Sequence, residues 1–257
     1  MSKIIAVANQ KGGTGKTATT VNLSIGLAMQ GKRVLVIDAD PQGNCTSSFG
    51  INAEQEYTLA DIMIDTINEE QDKEKGIIHT EQGVDLITAN LSLASIELQI
   101  VSVIGRETIL RQYLEDKTEM YDYIIIDCMP FLGLVTINVL SCADTVLIPV
   151  QASYLPVKGL QELIKTIYNV RKHLNGKLTI EGILITMYNK RTTYGRETVE
   201  LLKENYNGKI KIFDCTIPRS VKLEESTTAC QSIYTYSKNS PVAAAYKELA
   251  NEIGGTA

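Results

Sequence analysis

The sequence predicts an α/β fold, a doubly wound and mainly parallel sheet with helices on both faces. Seven short runs rich in β-branched residues alternate with longer helical patterns along the 257 residues, and those runs are apolar almost without interruption. A sheet with one wet face alternates apolar and polar positions, so continuous runs point to strands covered on both faces. A single α/β domain reaches about 250 residues, which makes 1–257 one expected domain.

The elements follow in order. Ile4–Ala8 reads as the first strand, and a glycine-rich turn leads from it into a helix over Lys16–Gln30. That helix carries Val21, Leu23, Ile25, Leu27 and Ala28 on its apolar side, with Gly31 placed to end it. Val34–Asp38, Val84–Thr88, Tyr123–Asp127, Thr145–Val150, Ile180–Thr186 and Ile210–Phe213 read as the remaining strands. Helical periodicity covers Thr58–Asn68, Ile96–Lys117, Leu132–Cys142, Gly159–Leu174, Thr193–Glu204 and Val242–Ile253, while Asn68–Lys75 reads as a polar, mobile loop.

Composition excludes several classes. With 25 basic and 30 acidic residues the formal charge is -5, so the chain is no polycation coating nucleic acid over its whole surface. No apolar stretch approaches the ~20 residues of a membrane span, and no cleavable signal precedes the first strand, so a cytoplasmic protein is expected. Cys45, Cys128, Cys142, Cys215 and Cys230 form no C-x-x-C pair, and His79 and His173 have no companion at ligand spacing. Structural cysteines and surface histidines are the better reading.

The strongest signal is Asn9-Gln10-Lys11-Gly12-Gly13-Thr14-Gly15-Lys16-Thr17, set between the first strand and the first long helix. Glycines there let backbone N–H groups turn inward around an anion, the helix adds its positive end, and Lys16 adds a mobile ammonium for phosphate. Thr17 offers a hydroxyl to Mg²⁺. Counting back from Gly15, the first glycine of the general Gly-x-x-x-x-Gly-Lys-Thr pattern is replaced by Gln10, and a second lysine, Lys11, follows. Two ammonium groups in one short loop repel unless anionic charge lies between them.

The loop resembles the deviant Walker A motif, Lys-Gly-Gly-x-Gly-Lys-Thr, of the ParA/Soj/MinD partition and positioning ATPases, a branch of the P-loop NTPases. The resemblance implies ATP and Mg²⁺ as ligands, with Lys11, Gly12, Gly13, Thr14, Gly15, Lys16, Thr17 and Ala18 around the phosphates. It assigns Lys11 the role of reaching a partner's phosphates in a nucleotide-sandwich homodimer; spacing alone gives only an extra cation. Asp38-Ala39-Asp40-Pro41-Gln42-Gly43-Asn44 looks like the switch segment of that family. By that resemblance Asp40 acts on the attacking water and Asp38 supports the magnesium shell. Tyr123-Ile124-Ile125-Ile126-Asp127 resembles Walker B, with Asp127 at Mg²⁺.

Two departures stand out. The family commonly continues Asp-x-Pro-Pro and a small residue, where this chain reads Asp127-Cys128-Met129-Pro130-Phe131-Leu132-Gly133. Ala18 stands where many relatives carry threonine, which removes a hydroxyl but not the backbone donor. The resemblance continues through Ile148–Tyr154, Thr186–Arg191 and Ile217–Ser220. In relatives the segments of Asn189 and Pro218 bound the adenine pocket; Asn189 reads equally as a turn residue.

Within this family the resemblance implies an ATP-dependent dimer that binds double-stranded DNA without sequence preference, with hydrolysis stimulated by a ParB-like adaptor. Lys190, Arg191 and Arg196 form one basic group and Arg219 and Lys222 another, with Lys190, Arg191, Arg219 and Lys222 the expected DNA contacts. The alternative is a MinD-like ATPase positioning a protein or membrane-associated cargo. Its membrane form needs a basic amphipathic tail with large apolar residues, whereas Pro241–Ala250 is small and Ala-rich, so no stable membrane anchor is expected. The chain starts at the phosphate-loop strand without an added DNA-reading segment, so operator repression is not expected.

Overall fold

The computed structural model describes residues 2–52, 55–70, 74–152, 157–206 and 208–255. Of the segments singled out in the sequence, Ser153 and Tyr154 and part of the 68–75 loop lie outside them. Among the described residues eight strands form one sheet: β1 (Lys3–Val7), β2 (Val34–Ala39), β3 (Ile77–His79), β4 (Asp85–Ile87), β5 (Tyr123–Cys128), β6 (Thr145–Gln151), β7 (Thr179–Tyr188) and β8 (Ile212–Pro218). Their order is β3-β4-β2-β5-β1-β6-β7-β8, and every pairing is parallel except β3 with β4.

The α-helices among the described residues are α1 (Lys16–Ala28), α2 (Asn44–Ser48), α3 (Leu59–Ile67), α4 (Leu93–Gln99), α5 (Ile109–Leu114), α6 (Leu134–Cys142), α7 (Val157–His173), α8 (Thr193–Tyr206), α9 (Val221–Thr228), α10 (Ile233–Tyr236) and α11 (Pro241–Gly254). Successive strand residues divide between two cores, which accounts for the continuous apolar runs. Ile4, Ala6, Leu35, Ile37, Ile124 and Ile126 face one core with α3 to α7. Ile5, Val7, Val34, Val36 and Ile125 face the other, with α1, α10 and α11. The inner strands β1, β2, β5 and β6 thereby remove nearly all of both rows of side chains from water.

Local chemistry sets several ends. Thr58 caps α3 in a capping box, with Asp61 Oδ2 accepting the Thr58 N–H at 2.8 Å. Past α1, Gly31 takes φ 79° while the Lys32 N–H returns to the Leu27 carbonyl at 3.2 Å. In α11, Ser240 caps the first turn and Pro241 occupies its start. Val242, Tyr246, Leu249 and Ile253 are buried in the same core as α1, so the apolar face of this terminal helix is already covered. Among the described residues no helix is long and apolar enough to cross a membrane.

The structure corrects four expectations. The helix expected over Ile96–Lys117 is broken into α4, α5 and a 3-10 helix at Glu115–Glu119. Gly105 turns the chain at φ 74°, and buried Asn138 from α6 holds the break: its Nδ2 donates to the Arg106 carbonyl at 2.7 Å and its Oδ1 accepts the Leu110 N–H at 3.2 Å. β3 escapes notice because three residues carry almost no periodicity. β8 runs on to Pro218 rather than ending at Phe213, because Asp214 lies exposed on an edge strand and interrupts an otherwise apolar pattern. Short, polar α2 and α9 have no apolar face for periodicity to register.

Asn138→Ala should destabilise the protein by about 2–3 kcal/mol, since it leaves buried backbone groups unpaired. Urea unfolding measures this, and a loss below about 0.5 kcal/mol would contradict the role given to Asn138.

Candidate nucleotide-binding site

β1 lies between β5 and β6 at the middle of the sheet, so the loop that follows it opens at the carboxyl edge, where doubly wound sheets hold ligands. Buried Asn9 anchors the loop: Nδ2 donates to the Pro149 carbonyl at 2.7 Å and Oδ1 accepts the Lys11 N–H at 3.0 Å. A second tie comes from β7, where the Thr186 hydroxyl donates to the Thr14 carbonyl at 2.8 Å. Gly13 and Gly15 adopt left-handed backbone, φ 69° and 86°. A Cβ at Gly12 or Gly13 would meet nothing within 4 Å and would stand in the open space above the loop. Gly15 begins α1 with no side-chain cap, which leaves the first-turn amides available to an anion.

Lys16 is buried, with Nζ 3.4 Å from the Lys11 carbonyl. Burial pushes its pKa down, opposed by the charges of Asp127, Cys128 and Asp40. Lys11 is half-buried on the lip of the loop, where its Nζ donates to Gln151 Oε1 at the end of β6 at 3.0 Å.

Asp38 and Asp127 are register partners on adjacent strands and are both almost fully buried. Thr17 and Thr20 of α1 donate their hydroxyls to Asp127 at 2.7 and 3.2 Å. The Thr46 N–H and hydroxyl bond Asp38 Oδ2 at 2.8 and 2.7 Å, and the Asp40 N–H bonds its Oδ1 at 3.1 Å. Burial first, and the neighbouring carboxylate second, raise Asp127 to about 7. Burial raises Asp38 to about 6 against the hydrogen bonds from Thr46. Asp40 is half-buried in a tight turn, its Oδ1 accepting the Gln42 N–H at 3.0 Å.

An open cavity of about 670 Å³ is lined by Gly12, Gly13, Lys16, Thr17, Asp40 and Pro130, among others, a size that suits a small ligand. A smaller one of about 110 Å³ adjoins it, with Gly15, Ala18, Met187 and Pro218 on its walls. Pro218 thus lies beside the phosphate loop, whereas Asn189 lines neither cavity. The Asn189 Oδ1 accepts the Arg191 N–H at 3.0 Å, and its carbonyl takes the Thr192 hydroxyl, which makes it a turn residue before α8.

Lys190, Arg191 and Arg219 come together in one open groove, with Asp214 and Glu248 also on its walls. Lys222 is not among the groove's lining residues; its ammonium pairs with Glu225 at 2.9 Å.

Asn9, Thr20, Thr46, Thr186 and Met187 also take part in the site, and none carries a functional signal of its own in the sequence. Met187 was legible only as part of a motif, yet it is a non-glycine residue at φ 52° that lines both cavities. Thr46 carries no local signal, since it acts on a strand end eight residues away.

A family model described as an AAA domain matches residues 2–180. The chain is 45% identical over 254 residues to the sporulation initiation inhibitor protein Soj of Bacillus subtilis, covering 98% of both chains. It is 35% identical to the chromosome partitioning protein ParA of Caulobacter vibrioides, covering 98% of this chain and 93% of that one. Among solved structures, a cobyrinic acid a,c-diamide synthase from Mycobacterium smegmatis with bound ATP analogue and magnesium superposes with a TM-score of 0.86 at 31% identity, covering 98% and 94%.

Asp38 and Asp127 bind protons more tightly folded than unfolded, where aspartate titrates near 3.9. Their contribution to stability is therefore complete below about pH 4 and is lost as pH rises toward about 7. In the ligand-free protein, Asp127→Asn should gain about 2–4 kcal/mol over the natural chain at pH 8 and little at pH 4. Unfolding curves compared at the two pH values test this, and a difference independent of pH would contradict it.

Proposed function

Because the chain belongs to the ParA/Soj-type family of P-loop partition ATPases, we propose that it is a Mg²⁺-ATP-dependent, dimerising ATPase of DNA segregation. In this reading the ATP-bound homodimer holds double-stranded DNA without sequence preference on the nucleoid, in the cytoplasm. A ParB-like adaptor then stimulates hydrolysis and release.

The observation that carries the reading is the different placement of two lysines on one loop. Lys16 is buried beside its own aspartates, while Lys11 sits on the lip and rests on the neutral amide of Gln151. In this reading the Lys11 ammonium, at the mouth of the loop, meets a phosphate that a partner chain brings when two loops face each other. Lys16 and the backbone from Gly12 to Ala18 hold the phosphates of the chain's own nucleotide.

The donor set at the strand ends fits Mg²⁺: a hydroxyl and two carboxylates, all hard oxygen ligands, in a place where the carboxylates resist ionising without a cation. Among the described residues no three His, Cys, Asp or Glu side chains form a metal cage of their own, and Mg²⁺ commonly keeps water and phosphate oxygens in its shell. Thr17 and Asp127 would hold the ion, with Asp38 supporting its shell, and the bound ion supplies positive charge against the phosphate oxygens. Asp40, fixed by the turn at Gln42 and facing the same cavity as Lys16, orients the attacking water. On the base side, Pro218 and Met187 bound the pocket, and Asn189 acts through the turn that follows it.

For DNA, the groove of Lys190, Arg191 and Arg219 supplies the phosphate contacts, doubled in a dimer. Lys222 contributes less, because Glu225 already neutralises it. The second reading, positioning of a protein or membrane-associated cargo, does not need this groove.

Binding to non-specific double-stranded DNA, measured with ATP, ADP and no nucleotide across a salt series, separates the two. Binding confined to the ATP state, and weakened at least about tenfold by Arg219→Glu, is expected. Absence of binding in every nucleotide state would contradict the DNA reading and favour the second.

A further inference from the structure

A cavity of about 400 Å³ lies at the amino edge of the sheet, the end opposite the nucleotide site. Ile4 of β1, Asp144 just before β6 and Lys177 shortly before β7 line it, with Arg111 and Leu114 of α5 and Cys142 at the end of α6. Doubly wound sheets hold their ligands at the carboxyl end, so the fold alone does not account for a cavity of ligand size here.

Its walls are tied together rather than loosely packed. Asn175 Nδ2 donates to the Leu140 and Ala143 carbonyls at 3.1 and 2.7 Å, which fixes the segment after α7 to the end of α6. Arg111 Nη1 donates to the Leu174 carbonyl at 3.2 Å and joins α5 to the same segment. At the sheet, Asp144 Oδ2 accepts the Ile4 N–H at 2.8 Å.

Four charged side chains share these walls: the cations Arg111 and Lys177 and the carboxylates Glu115 and Asp144. Among the described residues no salt bridge joins any of them, either to one another or to a further side chain. Burial pushes the Cys142 thiol up; the charge of Asp144 adds to this and that of Arg111 opposes it. Opposite charges thus stand within electrostatic reach of one wall residue without touching each other. Charges held apart across open space gain little from one another. A molecule that carries both signs at short spacing gains from both.

We propose that this cavity binds a small zwitterion of the α-amino acid class with an apolar side chain. Arg111 and Lys177 take its carboxylate, Glu115 and Asp144 face its ammonium, and Leu114 and Leu174 pack its side chain. The Arg111 guanidinium, held at one Nη by Leu174, keeps further N–H groups for a carboxylate, the geometry arginine binds best. A bare anion would meet repulsion from Glu115 and Asp144, and a bare cation from Arg111 and Lys177, so the walls select against both. None of these residues belongs to the nucleotide site, and the proposal stands apart from the ATPase reading.

The test is titration of the isotope-labelled full chain with L-leucine and with L-phenylalanine, followed in amide correlation spectra. N-acetyl-L-leucine, which lacks the ammonium, and L-leucinamide, which lacks the carboxylate, serve as comparisons. At least one of the two amino acids should shift the Asn175, Gly176 and Lys177 amides saturably with a Kd below about 1 mM, and both blocked analogues should bind at least about tenfold more weakly. Lys177→Gln and Glu115→Gln should each weaken binding about three- to tenfold, with ATP affinity unchanged as the sign of an intact fold. Absence of a saturable shift up to about 20 mM of either amino acid would overturn the proposal. Blocked analogues that bind as tightly as the free amino acids would overturn it too, as would variants that bind like the natural chain.

Discussion

Two carboxylates buried side by side at the ends of β2 and β5 are the constraint on which the rest of the site depends. Parallel pairing in register puts Asp38 against Asp127, and the sheet leaves neither side chain exposed to water. Burying an ionised carboxylate costs several kcal/mol unless it is paired or hydrogen-bonded. The chain offsets that cost only in part, with hydroxyls from Thr17, Thr20 and Thr46. What remains uncompensated is a standing preference for positive charge at this spot. Lys16 supplies some of it, at the expense of its own desolvation, and a divalent cation would supply the rest.

The same ties make the phosphate loop a part of the sheet rather than an appendage. Asn9 fastens it to Pro149 of β6, and Thr186 of β7 fastens its middle. Thr17, the second residue of α1, then reaches β5 through Asp127. Nucleotide bound in this loop would therefore bear on three strands at once. Through Thr46, Asp38 is also joined to Ala89 and so to the segment that leads into α4. The basic groove lies on the other flank, and Arg219 at its rim follows directly on Pro218 beside the loop.

Features written in contiguous residues were legible in the sequence. Continuous apolar runs gave seven of the eight strands, because each run is one strand feeding two cores. Glycines and lysines at fixed spacing gave the phosphate loop, and strand-terminal aspartates marked the carboxyl edge. What could not be read depends on side chains meeting across the fold. Asn138 breaks a helix that begins some forty residues before it. Thr46 holds Asp38 from a helix too short and polar to register. Glu225 neutralises Lys222, and an Asx turn occupies Asn189. None of these pairs has a local pattern, and each changes what the residue can do.

The central claim is that Lys11 completes the site of a partner chain, and a mixing experiment tests it most directly. Lys11→Ala and Asp40→Ala each remove one half of a complete site, so each protein alone should be inactive in ATP turnover. In an equimolar mixture, random pairing makes half of the dimers mixed, and each mixed dimer has one site with both Asp40 and a partner's Lys11. Turnover should then recover to about a quarter of the natural rate. If the mixture stays as inactive as its components, Lys11 acts within its own chain and the claim fails.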